Sequence, residues 1–90
     1  MYGRGFTRWR RGDAIPWHYH GSVTDWYFCL GGILRIETRV PRDDERLAPG
    51  GRYAIAPRTA HRISNGGDDC DCRFLLLQGV GIYDFNRIAD

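Results

Sequence analysis

Short apolar or alternating runs recur along the chain, each followed by turn residues, at the roughly 8–12-residue spacing expected of an all-β sandwich or barrel. Strands are predicted over Gly5–Arg11, Ile15–His20, Asp25–Leu30, Ile33–Arg39, Arg52–Ala56, His61–Ser64, Arg73–Gln78 and Ile82–Phe85. The separators carry turn chemistry: Gly12-Asp13, Gly21-Ser22, Gly31-Gly32, Pro41 to Asp44, Pro49-Gly50-Gly51, Asn65-Gly66-Gly67 and Gly79 to Gly81. No window of about 11 residues keeps apolar side chains at helical spacing without an intervening Gly or Pro, so helix content is expected to be close to nil. The tail from Tyr83 to Asp90 has room for one turn and is too short for an isolated helix.

Alternation is clearest in Asp25-Trp26-Tyr27-Phe28-Cys29-Leu30. If Asp25 faces inward, so do Tyr27 and Cys29, while Trp26, Phe28 and Leu30 face the other way. Tyr27 and Cys29 are thereby candidate pocket walls, or ordinary core residues with a phenol hydrogen bond. On the last long strand Phe74, Leu76 and Gln78 share one face, and Arg73, Leu75 and Leu77 the other.

The length of 90 residues points to one domain spanning 1–90, and 42% hydrophobic residues, 12 of them aromatic, suffice for one core. All 13 basic residues are Arg, set against 11 acids. The absence of Lys excludes a Schiff-base enzyme and a Gly-Lys-Ser/Thr phosphate loop. Ser22 and Ser64, the two serines, lie outside any Gly-x-Ser-x-Gly frame. The strip Arg4, Arg8, Arg10 and Arg11 around Trp9 has the ingredients of a nucleic-acid surface, but a net charge of +2 argues for a solvated face, and no nucleic-acid partner is expected. The longest apolar run, Trp26 to Leu30, is far below the ~18 residues of a membrane span, and no apolar segment follows the N-terminal arginines, so a cytoplasmic location without a membrane partner is expected. Three Cys, with Cys70-Asp71-Cys72 lacking a second pair at zinc-ribbon spacing, read as reduced thiols. Asp68, Asp69 and Asp71 lack calcium-loop spacing and read as an exposed hairpin tip.

In the extended segment Trp17-His18-Tyr19-His20 the two histidines project from one face, with backbones about 6.6 Å apart, close enough for both imidazoles to meet one ion. The corner Gly21 to Thr24 brings Asp25 back toward them, and His61 follows the Pro-containing corner Ala56 to Ala60. The plain alternative is that His18, His20 and His61 are polar residues lining a cavity. Three buried imidazoles without an ion would, however, be hard to satisfy with hydrogen bonds.

At these residues the sequence resembles the cupin superfamily, over roughly residues 12 to 78. The first cupin motif, His-x-His, three or four residues, Glu, six residues, Gly, is matched by His18, His20, Asp25 and Gly32. The second, Gly, five residues, Pro-x-Gly, two residues, His, three residues, Asn, is matched by Gly50, His61 and Asn65. Ala56 stands at its Pro position and Arg58 at its Gly position, where Gly would better tolerate the backbone. The resemblance implies an all-β fold, a small double-stranded β-helix or jelly-roll barrel with its cavity between the sheets. It also implies a divalent metal, with His18, His20, His61 and Asp25 as the metal residues. Asp is one methylene shorter than the family's Glu, so Asp25 either reaches the ion through a small backbone shift, binds through water, or orients a histidine. Imidazoles with one carboxylate suit Fe, Mn, Ni or Zn. The expected function is binding of, or oxygenase, isomerase or lyase chemistry on, a small molecule in the barrel. A non-catalytic ligand-binding or sensor cupin is the alternative, and catalytic residues stay unassigned. Trp9, Trp17 and Trp26 suggest an aromatic surface buried in a homodimer.

Overall fold

The computed structural model describes residues 3–67, 71–79, 81 and 84–88. Nine strands follow in chain order: β1 (Gly3–Trp9), β2 (Ala14–Tyr19), β3 (Asp25–Gly31), β4 (Leu34–Arg39), β5 (Arg42–Leu47), β6 (Arg52–Ile55), β7 (His61–Asn65), β8 (Cys72–Gln78) and β9 (Asn86–Arg87). There is no helix among the described residues, as the absence of helical periodicity predicts. The strands form two antiparallel sheets, ordered β1-β8-β3-β6 and β5-β4-β7-β2-β9, in a jelly-roll arrangement.

The core lies between the sheets because each contributes one alternating apolar face. In β3, Tyr27 and Cys29 are buried and Trp26 and Leu30 exposed; in β4, Leu34 and Ile36 are buried. With Leu47, Ile55, Ile63, Cys72 and Phe74 these residues make one cluster, against which Trp9, Ile15, Tyr53 and Leu76 pack. Phe74, Leu76 and Gln78 therefore mark the inner face of β8. Trp9 meets Phe74 edge-on at 4.7 Å, so its ring packs on the core rather than standing out among the arginines. Its neighbour Arg8 pairs with Asp71 at 2.6 Å. Gly32 (φ +69°) lets the chain pass against the next strand; a Cβ there would collide with the Asp71 carbonyl oxygen.

Three expectations are corrected. Pro41 to Asp44 is not a loop: the reversal is confined to Val40–Pro41, and Arg42–Leu47 returns as β5. That strand is nearly all charged and sits at a sheet edge, where charge is tolerated and discourages pairing with another chain. Its two aspartates are partnered. Arg35 donates to both Asp44 oxygens, at 3.0 and 2.7 Å, and Asp43 accepts from Tyr53 Oη at 2.7 Å, tying β5 to β6 of the other sheet. Arg10 and Arg11 fall outside β1, in a turn closed by Asp13, whose carboxylate accepts the Arg10 N–H at 2.8 Å. In the expected strand Ile82–Phe85, Asp84 and Phe85 are not strand, and the following Asn86–Arg87 pairs with β2 instead of forming a helical turn. Ile82, Tyr83, Ala89 and Asp90 lie outside the described residues, as do Asp68 and Asp69 of the expected hairpin tip.

Candidate metal centre

His18 lies near the end of β2, His20 just beyond it, His61 at the start of β7 and Asp25 at the start of β3. Backbone pairing sets His18 opposite His61 in one sheet, and Asp25 faces them from the other. The structure brings all four together: they are buried, and one donor atom from each lies within 4.8 Å of all the others. Ring centroids are 4.1 Å apart for His18 and His61, 4.8 Å for His18 and His20, and 5.5 Å for His20 and His61.

The hydrogen bonds of these rings fix their tautomers. His18 Nδ1 lies 2.8 Å from the Pro16 carbonyl oxygen, His61 Nδ1 lies 2.8 Å from that of Thr59, and His20 Nδ1 contacts that of Asp84. A carbonyl only accepts, so each Nδ1 carries a proton and each Nε2 is left to face the interior. His20 Nε2 stands 3.2 Å from Asp25 Oδ2, the separation of an ion pair when that ring is protonated. The buried Nε2 of His61 has no hydrogen bond, although Asp25 Oδ2 is 3.4 Å away. Asp25 is held on its other side: Gln78 Nε2 donates to Oδ1 at 3.1 Å, and Tyr27 Oη donates to Oδ2 at 3.3 Å.

Electrostatics follow from burial and these partners. Burial pushes His18 down to about 4, aided by the neighbouring imidazoles and opposed by the Pro16 carbonyl. Burial presses His20 the same way but is outweighed by Asp25 and the Asp84 carbonyl, which raise its pKa above the usual histidine value. Burial would lift Asp25, yet its neighbours His20, His61 and Gln78 hold it well below the ordinary carboxylate range. The group is thus one anionic carboxylate facing three inward ring nitrogens, one of them an orphaned buried polar atom. A divalent cation fits this donor chemistry: three imidazole nitrogens, His20 giving up its proton to bind, and one hard oxygen, all converging.

Of the candidate pocket walls, Tyr27 supports Asp25 through its phenol, and the Cys29 thiol lies in the core near the carbonyls of Gly31 and Gly32, at 3.6 and 3.5 Å. Sequence reasoning missed Gln78 as a support of Asp25; inward alternation on β8 was a usable signal, but its pairing opposite Asp25 was not. It also missed Asp84 and Phe85, which no periodicity marks. Arg58 has φ +63°, confirming that its corner calls for a left-handed residue. Its N–H donates to the His20 carbonyl at 2.6 Å, so the corner leading to His61 also grips His20. A cavity of about 180 Å³ opens between β6 and the β4–β5 turn, lined by Thr38, Pro41, Tyr53, Ala54, Ile55, Ala56 and Thr59. Thr38 and Ile55 are the backbone partners of His61 and Asp25. The larger cleft, about 390 Å³, is lined mainly by outward-facing charged residues with Trp17, beneath the Arg39 guanidinium, and none of the four residues lines either cavity.

Fold and site together define a small jelly-roll protein with a buried three-histidine, one-carboxylate group between its sheets. The sequence profile of the cupin domain matches residues 5–78, and the chain belongs to the cupin family. Among solved structures it is similar to a cupin protein from Bacteroides fragilis, with 25% identity and a TM-score of 0.71, covering 83% of this chain and 62% of that one. It is also similar to an oxalate decarboxylase from Lactobacillus farciminis (18%, TM-score 0.79, 94% and 26% covered). A third is a 3,4-ketoisomerase from Thermoanaerobacterium thermosaccharolyticum (17%, TM-score 0.78, 97% and 66% covered). The last two likenesses are of fold, and the chain spans less than two thirds of each of these three proteins. No curated protein matches the sequence.

Proposed function

We propose that the chain is a metal-dependent cupin that engages a small molecule between its sheets, with His18, His20, His61 and Asp25 as the four protein ligands of iron, manganese, nickel or zinc. The observation that carries this reading is the commitment of all three Nδ1 protons to backbone carbonyls, which turns three Nε2 atoms toward one carboxylate. When bound, such a cation supplies Lewis acidity toward a ligand's oxygen atoms, a chemistry that serves oxygenases, isomerases and lyases alike. Gln78 and Tyr27 orient Asp25, whose charge offsets part of the cation's. The cavity lined by Thr38 and Ile55 is the proposed small-molecule site, because these two residues are the backbone partners of His61 and Asp25.

A second reading, ligand binding without turnover, draws on the same cavity. Tyr53 is its one titratable lining residue, and burial, with the Asp43 carboxylate, pushes its phenol up to about 12, so it stays protonated. Protein purified without a histidine tag should contain about one transition-metal ion per chain, and His20→Ala should lose it. Equal metal content in the two proteins would overturn the metal reading. Substrate-dependent product or oxygen uptake favours the enzyme; tight ligand binding without turnover favours the sensor.

We also propose a homodimer formed through the outer face of the four-stranded sheet. There Trp26 pairs with Leu77 and Phe28 with Leu75 across strands, and Trp26 and Leu30 are 45% and 46% exposed. We place the protein in the reducing cytoplasm, where a buried cysteine such as Cys29 stays a thiol. No helix among the described residues is long and apolar enough to cross a membrane.

A further inference from the structure

We infer that the segment Asp84–Ile88 is a positioning strap for the metal centre, supplying the acceptor that orients His20 and the ring that seats His18. This rests on the metal reading above. The segment lies outside residues 5–78, over which the chain matches the cupin profile.

The three histidines are not oriented alike. His18 and His61 each find their Nδ1 acceptor two residues back on their own chain segment, at Pro16 and Thr59. His20 instead takes its acceptor from the Asp84 backbone carbonyl, 64 residues away. His20 also lies beyond the last ladder residue of β2, so the strand does not fix its ring.

The strap is docked at several points along β2, whose edge it covers. Ile88 N–H donates to the Trp17 carbonyl at 2.9 Å, Arg87 and Asn86 pair with His18 and Tyr19, and the Asn86 amide donates to the Tyr19 carbonyl at 3.2 Å. At the other end Asp84 Oδ1 accepts the Gly21 N–H at 2.7 Å. A Cβ at Gly21 would come within 3.0 Å of Asp84 Oδ2, so a side chain there would press on the strap. Between these anchors Phe85 stacks on His18, with ring centroids 4.2 Å apart and planes 14° apart, and meets His20 edge-on with centroids 6.0 Å apart. An aromatic ring 45% exposed is thus accounted for by the imidazole it covers.

The test compares the full chain with a chain ending at Gly81 and with Phe85→Ala and Asp84→Ala. Two measurements are made: the dissociation constant for Zn2+, and the imidazole N–H signals in nitrogen-15 NMR of protein treated with chelator. Truncation should weaken Zn2+ binding about 10–100-fold, the usual effect of losing a group that orients a ligand. It should also remove the Nδ1–H signal of His20 while sparing those of His18 and His61. Phe85→Ala and Asp84→Ala should each weaken Zn2+ binding several-fold. A truncated chain that unfolds cooperatively, binds Zn2+ like the full chain and keeps the His20 signal would overturn the inference. If truncation prevents folding, unchanged Zn2+ affinity in both point variants would do the same. Failure of the full chain itself to bind Zn2+ would instead refute the metal reading, leaving the His20 signal to decide whether the strap orients the ring.

Discussion

At Asp25 one side chain meets four others, and its length is the departure from the family motif that matters most for the site. Its Oδ2 faces His20 and His61 at 3.2 and 3.4 Å, so the shorter carboxylate already reaches the ring nitrogens. If that oxygen is a direct ligand, Asp25→Glu should keep or tighten Zn2+ binding. Asp25→Asn, which keeps the shape and removes the charge, should weaken it about 10–100-fold. Calorimetric titration checks both, and an Asn variant that binds as tightly as wild type would remove the carboxylate from the ligand set. The candidate ligands were legible from motif spacing alone. Gln78 was not, because its relation to Asp25 depends on strand pairing that no local pattern encodes.

The Pro57–Arg58 corner does two tasks at the scale of an element: Arg58 N–H holds the His20 carbonyl and the Thr59 carbonyl holds His61 Nδ1. Arg58 pays for this with a left-handed backbone, φ +63°, which disfavours any side chain by about 1–2 kcal/mol. Its side chain is exposed, so little packing is lost on removal. Arg58→Gly should therefore stabilise the fold, by up to about 1 kcal/mol once the greater freedom of Gly in the unfolded chain is subtracted. Urea denaturation checks this; a clear loss of stability would mean that the guanidinium makes a contact worth more than the strain. Where apolar alternation was present, as in β3 and β4, the elements were readable to within a residue or two. Strand β5 was not, because Arg42 to Arg46 carries no apolar residue and so no alternation marks it. Strand β9 has two residues and exists only by virtue of β2.

For the molecule as a whole, the titrating groups of the site should shape stability against pH in protein treated with chelator. His20 is raised, so its contribution is complete below about 6.5 and is lost as pH rises through the elevated value. His18 is lowered to about 4, so the fold is disfavoured progressively as pH falls from about 6.5 toward that value. Asp25 is depressed, so its contribution is present above about 3.9 and disappears as pH falls further. Stability should therefore peak near pH ~6.5 and fall on both sides, as thermal melts across pH would show. A curve that keeps rising from pH 6 to 9 would mean that His20 is not paired as described. On the outer face, Trp26→Glu should turn the proposed dimer into a monomer in sedimentation equilibrium with little change in melting temperature. A variant that stays dimeric would place the contact elsewhere.

The four residues come from both layers of the sandwich: the histidines from the sheet holding β2 and β7, and Asp25 from the sheet holding β3. A captured ion would act as a removable cross-link between layers otherwise joined by side-chain packing, surface loops and the hydrogen bond from Tyr53 to Asp43. Prying the layers apart would then require ejecting it, so loading should retard spontaneous opening and lengthen survival under protease attack. The same four residues would double as the clasp that keeps the sandwich shut.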